Sequence, residues 1–113
     1  MQTKDVITAL AALAQESRLA VFRLLVQVGP AGLAASKIAE ILGVPPSSLS
    51  FHLKELSYAD LVISRQEGRF VIYSANIANM NSLIGFLTEN CCGGNPCVST
   101  TTPTCCDTES AIN

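Results

Sequence analysis

The residues with the most distinctive chemistry are five cysteines, and all of them follow residue 90 of the 113-residue chain. They are Cys91, Cys92, Cys97, Cys105 and Cys106. Disulfides that stabilise small secreted domains are usually spread through the fold, whereas residues 1–90 contain no cysteine. Clustered thiols of this kind more often bind metals or carry out redox chemistry in a reducing compartment. We therefore expect reduced thiols and a cytoplasmic location.

Three of these thiols have a spacing suited to one soft ion. Cys91, Cys92 and Cys97 provide three thiolates, and trivalent arsenic and antimony prefer three thiolates in a pyramid. Adjacent helical residues point about 100° apart, so convergence requires the chain to leave the helix there. Gly93-Gly94 permits such a bend and Pro96 turns the chain. The pattern predicts that these thiols bind As(III) as a regulatory ion, an inducer if the protein is a repressor, with Sb(III) as a second candidate.

Other uses of the thiols stay open at the level of sequence. Cys105 and Cys106 are candidate accessory thiols, and one of them would complete a four-thiolate zinc or cadmium site. A cysteine pair would also suit a protein that senses oxidants or persulfides. A metalloid chaperone would use the thiols to bind the ion and would not bind DNA. A thiol-based arsenate reductase needs an arginine after its nucleophile, but no Lys or Arg follows Arg69. We therefore expect no catalytic residue, no enzyme activity and no organic cofactor.

The body that positions the cysteines has an uneven charge. Residues 1–75 hold all seven basic residues and six acids, whereas residues 76–113 hold three acids and no base. The first part is thus the one that could face an anionic partner. Charged residues are only 14% of the chain, which favours burial of some apolar surface between subunits. No apolar run is long enough to span a bilayer and no signal-peptide pattern occurs, so we expect no membrane association.

Apolar periodicity predicts five helices and one hairpin. The predicted helices cover residues 4–14, 16–28, 36–42, 46–57 and 77–89, and the predicted strands cover residues 62–66 and 69–74. A short extended stretch is expected within residues 30–35. The fold class is therefore mainly α with a small β-hairpin, a winged helix-turn-helix with five helices and a two-stranded wing. We predict that residues 1–90 form one domain for DNA binding and dimerisation, and that residues 91–113 form a cysteine-rich metalloid-binding tail.

The fourth helix and the hairpin contain the candidate DNA contacts. Leu49, Leu53 and Leu56 form an inward face, which leaves hydroxyl and basic side chains for the major groove. Arginines near the hairpin turn can reach phosphate or the minor groove. The candidate DNA-binding residues are Ser47, Ser48, Ser50, Phe51, His52, Lys54, Arg65 and Arg69.

Three stretches resemble one known family. Residues 46–56 (Pro-Ser-Ser-Leu-Ser-Phe-His-Leu-Lys-Glu-Leu) resemble the recognition helix of ArsR/SmtB metalloregulatory repressors. Leu61-Val62, followed by Arg65, Gly68, Arg69 and Tyr73, resembles their wing, and residues 14–19 resemble the entry to their second helix. The resemblance implies a homodimer through the first and fifth helices that binds double-stranded operator DNA. It also implies an arsenite-responsive repressor whose C-terminal cysteine site corresponds to Cys91, Cys92 and Cys97.

The chain departs from the family pattern at several positions. The third-helix Cys-x-Cys site of some members is absent, because residues 38–42 contain no thiol. The zinc site of others needs several histidines on the last helix, whereas His52 is the one histidine here. Pro45 stands where a polar N-cap is usual, which removes a capping acceptor. Asp60 stands where glycine is usual, so we expect a left-handed backbone there.

Overall fold

The computed structural model describes residues 1–94, apart from the side chain of Cys92. Cys97, Cys105 and Cys106 lie outside the described residues. The helices are α1 (Thr3–Leu13), α2 (Glu16–Val28), α3 (Ala35–Leu42), α4 (Pro46–Tyr58) and α5 (Ile77–Leu87), and the strands are β1 (Leu33–Ala34), β2 (Val62–Glu67) and β3 (Phe70–Ala75). The architecture confirms the predicted winged helix-turn-helix, including the short extended stretch before α3.

The predicted two-stranded wing, β2 and β3, belongs to an antiparallel sheet that β1 extends to three strands in the order β1-β3-β2. Glu67 pairs with Phe70, so a two-residue turn of Gly68 and Arg69 connects β2 to β3. Gly68 has φ 62°, which suits the first position of a tight hairpin turn. Leu33 pairs with Tyr73, so β1 attaches the hairpin to the helical body.

One apolar core holds the helix-turn-helix against the other helices. The largest fully buried side chains are Val21, Leu25, Ile38, Leu49, Leu56 and Leu61. They come from α2, α3, α4 and the turn before β2, so the packing of α4 depends on all of these elements. The predicted inward leucines of α4 are confirmed, because Leu49, Leu53 and Leu56 are at most 2% exposed.

The large apolar side chains of α1 and α5 divide between the core and the surface. On α5, Leu83 is buried and Met80 packs against the core, whereas Ile84 and Leu87 are about half exposed. On α1, Val6 is buried, whereas Leu10, one turn later, is 42% exposed. Small residues of α1, Ala9 and Ala12, occupy the core instead, because α1 lies close to its neighbours. Within residues 1–94, no helix is both long enough and apolar enough to span a bilayer.

Candidate nucleic-acid interface

The turn between α3 and α4 sets the angle of the fourth helix. Gly43 ends α3 with φ 66° and ψ 32°, the left-handed conformation that glycine adopts without a Cβ penalty. The Val44 N–H then donates to the Ala39 carbonyl oxygen at 3.1 Å. Pro46 occupies the first turn of α4, where a missing N–H has no cost. The local sequence thus specifies a tight helix-turn-helix corner.

The first turn of α4 presents backbone donors. Pro45 takes the N-cap position, and no side chain caps this end of the helix, as its residue type predicts. The first N–H groups of an α-helix have no partner within the helix, and they suit an anion such as a phosphate. The exposed Ser47 and Ser48 lie in this turn. The departure at Pro45 therefore leaves a helix end that can bind backbone phosphate.

The outer face of α4 holds most of the predicted DNA contacts. Ser47, Ser48, Ser50, Phe51 and Lys54 are all exposed. At 100° per residue, Ser47, Phe51 and Lys54 point opposite to the buried leucines. Within residues 1–94, Lys54 has no ion pair, so its ammonium group is available to a phosphate. The face that α4 can present to a DNA groove therefore carries a hydroxyl, an aromatic ring and a cation.

His52 lies on the other side of the helix. It is 9% exposed, and its Nδ1 is buried without a hydrogen-bond partner in the described part of the chain. The sequence predicts His52 as a DNA contact, but a ring buried on this side of the helix is better placed to orient α4 than to reach a groove. Its ring also contacts Phe51 edge-on, with ring centroids 6.0 Å apart.

The two wing arginines have different environments. Arg69 lies in the turn at the tip of the hairpin and is exposed. Arg65 donates from Nη1 to the Pro30 carbonyl oxygen at 3.1 Å and from Nη2 to the Ala31 carbonyl oxygen at 2.7 Å, and its Nε bonds the Glu67 carboxylate. The guanidinium of Arg65 thus attaches β2 to the α2–β1 loop. Arg69 is the better placed of the two for a phosphate.

A second set of hydrogen bonds connects α4 to α5. Asp60, at the end of α4, has φ 60°, which confirms the left-handed backbone expected at this position. Its carbonyl oxygen accepts hydrogen bonds from the side-chain amides of Asn76 and Asn79, both at 3.0 Å. Asn76 also caps α5 by accepting from the Asn79 backbone N–H at 3.1 Å. The end of the fourth helix and the start of the fifth therefore meet at one carbonyl.

The chain leaves the helical path just before the first cysteine. α5 ends at Leu87, Asn90 has φ 56°, and residues Cys91–Gly94 form a 3₁₀ turn. The predicted helix to residue 89 is thus too long at its C-terminal end. Cys91 is exposed and disulfide-bonded. The proximity of Cys91, Cys92 and Cys97 stays a prediction, because the set extends outside the described residues.

Comparisons with known proteins agree with this geometry. Residues 13–65 match a family model described as a helix-turn-helix domain. An ArsR-like transcriptional regulator from Rhodococcus sp. RHA1 is 31% identical, with a TM-score of 0.67, over 74% of this chain and 76% of that one. The chain belongs to the ArsR family. Members of this family are winged-helix, DNA-binding transcriptional regulators, which confirms the expectation that the chain is not an enzyme.

Two further solved structures are similar to this chain. One is the homodimeric winged helix-turn-helix domain of a possible ArsR-family regulator from Mycobacterium bovis, at 28% identity and TM-score 0.61 over 77% of this chain and 81% of that one. The other is described as a possible transcriptional regulator for arsenical resistance, at 26% identity and TM-score 0.60 over 70% of this chain and 79% of that one. A comparison with functionally curated proteins gave no match.

Sequence reasoning missed one side chain on the presented face of this ArsR-family protein. Tyr58, the last residue of α4, is 81% exposed. It lies four residues after Lys54 and seven after Phe51, so it continues the same outward stripe. That helical spacing was the available signal, but the helix predicted from the sequence ends one residue earlier.

Proposed function

We propose that the chain is a homodimeric repressor that binds operator DNA and releases it when As(III) binds Cys91, Cys92 and Cys97. Sb(III), equally thiophilic, is the second candidate inducer. The observation that carries the proposal is the position of the cysteines. They begin directly after α5, and the outer side of α5 is an unpartnered apolar face. An ion bound there acts on the helix best placed to set subunit geometry.

The dimer part of the proposal rests on exposed apolar side chains of two packed helices. α1 contacts α5, and both leave large apolar residues in solvent. These are Ile7, Leu10, Ile77, Ile84 and Leu87. Apolar surface of this kind marks an interaction site, and the similar M. bovis domain is homodimeric. A two-fold dimer places two recognition helices about 34–36 Å apart, one turn of DNA.

The release part follows from coupling between the cysteines and α5. Three thiolates gathered on one ion would reshape the turn after Asn90, and the rigid helix would transmit that change to the dimer interface. A nearly complete switch needs about 10⁴-fold tighter ion binding to the released form, or about 5.5 kcal/mol. The similarity to a possible regulator for arsenical resistance supports this choice of ion.

The test is a DNA-binding titration of the reduced full-length chain. As(III), Sb(III), Cd(II) and Zn(II) are added in parallel to the complex with a promoter fragment, and binding is followed by fluorescence anisotropy. As(III) should release the DNA, and Cys91→Ser, Cys92→Ser and Cys97→Ser should bind DNA normally but resist release. The Cys105→Ser/Cys106→Ser double variant is the matched control and should still respond. Undiminished release in all three single variants would contradict the site.

A second candidate function is a thiol redox repressor. Cys91 is disulfide-bonded in the structure, and an oxidised sulfur is not a thiolate ligand. If oxidation is the signal, a disulfide-forming reagent such as diamide should release DNA without any ion, and dithiothreitol should restore binding. If As(III) is the signal, reduced protein should respond to the ion, and the Cd(II) and Zn(II) arms identify a four-thiolate site.

A further inference from the structure

The outer face of the recognition helix carries an exposed aromatic ring near its centre. Phe51 lies at the centre of α4 and is 55% exposed. Around the helix it points opposite to Leu49 and Leu56, in one stripe with Ser47 and Lys54. A phenylalanine in this position contributes nothing to the core of the described subunit.

A second ring lies beside Phe51 on the helix. The rings of Phe51 and His52 meet edge-on, with an interplanar angle of 62°. His52 itself is packed into the protein. The exposed Phe51 ring is therefore in contact with a buried ring, while more than half of its own surface stays in solvent.

The surroundings of Phe51 indicate which surface it meets. Its neighbours on the outer face include small hydroxyls and one lysine, which suit phosphates and base edges, together with Tyr58 and the partly exposed Glu55. The major groove offers one apolar group to a side chain, the C5-methyl of thymine. Serines on both sides of the ring let the helix approach closely enough for that contact.

We propose that Phe51 contacts a thymine methyl group and makes the protein select thymine at one position of each half-site. This inference rests on the proposed binding of operator DNA through α4. It adds a specific chemical group that the protein reads, and it concerns sequence preference rather than release by an ion.

The experiment removes only the methyl group. A preferred duplex is selected from a random library with the reduced full-length chain, and each thymine in it is then replaced by deoxyuridine. Burial of one methyl group is worth about fourfold in affinity. At one thymine per half-site, replacement by deoxyuridine should lower the affinity of the native chain about fourfold and that of Phe51→Ala almost not at all. Phe51→Leu should retain part of the effect, because it keeps an apolar contact.

Phe70→Ala is the matched control. Phe70 is 60% exposed at the tip of the wing, so its truncation removes an equally exposed ring away from α4. It should leave the methyl effect at the Phe51-dependent position unchanged. Equal deoxyuridine effects in the native chain and Phe51→Ala would overturn the inference while leaving DNA binding intact. Failure to select any duplex would instead overturn the proposed operator binding, and the inference with it.

Discussion

At the scale of single residues, two wing arginines that look equivalent in sequence have different environments. Arg65 and Arg69 both flank the turn at Gly68 and both resemble family wing residues. The guanidinium of Arg65 is occupied by two loop carbonyls and the Glu67 carboxylate. Arg69 lies at the tip with its charge exposed. We expect Arg69 to contact phosphate and Arg65 to position the wing.

Salt dependence separates these two roles. Each phosphate contact contributes about 0.9 to the slope of log affinity against log salt concentration. Arg69→Ala should lower that slope by about 0.9 per subunit, as measured by fluorescence anisotropy over a KCl series. Adding Arg65→Ala to Arg69→Ala should weaken binding without changing the slope further. A second drop of about the same size would show that Arg65 also contacts a phosphate.

At the scale of elements, the α2–β1 loop lies beneath the wing and fixes its direction. Gly32 in this loop has φ 69°, and a Cβ there would lie 2.5 Å from the Tyr73 carbonyl oxygen in β3. Arg65 holds the same loop from β2. The loop is therefore in contact with both long strands of the wing, which gives the hairpin one orientation relative to α4.

The stability lost when a side chain is added at Gly32 can be compared with the loss at a second glycine of nearly the same conformation. Gly43 has φ 66°, but a Cβ there would meet nothing within 4 Å. Both Gly43→Ala and Gly32→Ala incur the left-handed strain, about 1–2 kcal/mol. Gly32→Ala should lower the free energy of unfolding by at least about 1 kcal/mol more, because backbone must move. Urea unfolding gives both values, and equal losses would mean that the loop is not tightly packed.

At the scale of the whole molecule, the fold leaves an apolar surface that one chain cannot bury. Ile84 and Leu87 on α5 and Ile7 on α1 are at least 50% exposed. The negative excess lies in residues 76–113, whereas all bases lie before residue 76. The charge distribution thus suits contact with DNA through the part of the chain that precedes α5. A subunit contact through α1 and α5 would leave α4 and the wing accessible to DNA.

A charge placed in this surface should prevent dimerisation. Ile84→Glu should elute as a monomer in size-exclusion chromatography with light scattering, because burial of an unpaired carboxylate is unfavourable. Its affinity for a two-half-site operator should fall by at least about 100-fold, through loss of bivalent binding. Ile63→Glu is the control for oligomeric state, because Ile63 is similarly exposed but lies on β2. This control variant should remain dimeric, and a dimeric Ile84→Glu would exclude the interface.

Local patterns in the sequence were sufficient for the elements and the helix-turn-helix corner. Apolar spacing located the five α-helices of residues 1–94, and Gly43, Pro46 and Gly68 are residue types that favour the corner and the hairpin turn in which they lie. These features follow from backbone conformation and short-range periodicity, which a single segment expresses by itself. The resemblance to the ArsR family was likewise carried by contiguous residues of α4 and the wing.

Contacts between distant segments were decided only by the tertiary structure. The sequence shows that His52 and Phe51 are adjacent, but packing against the core buries the first and exposes the second. It shows two arginines beside a turn, but the carbonyls that occupy Arg65 belong to a loop far earlier in the chain. Likewise, the sharing of the Asp60 carbonyl by two asparagines depends on how α4 and α5 meet. Hydrogen bonds and burial of this kind depend on the packing of whole elements, which no local pattern encodes.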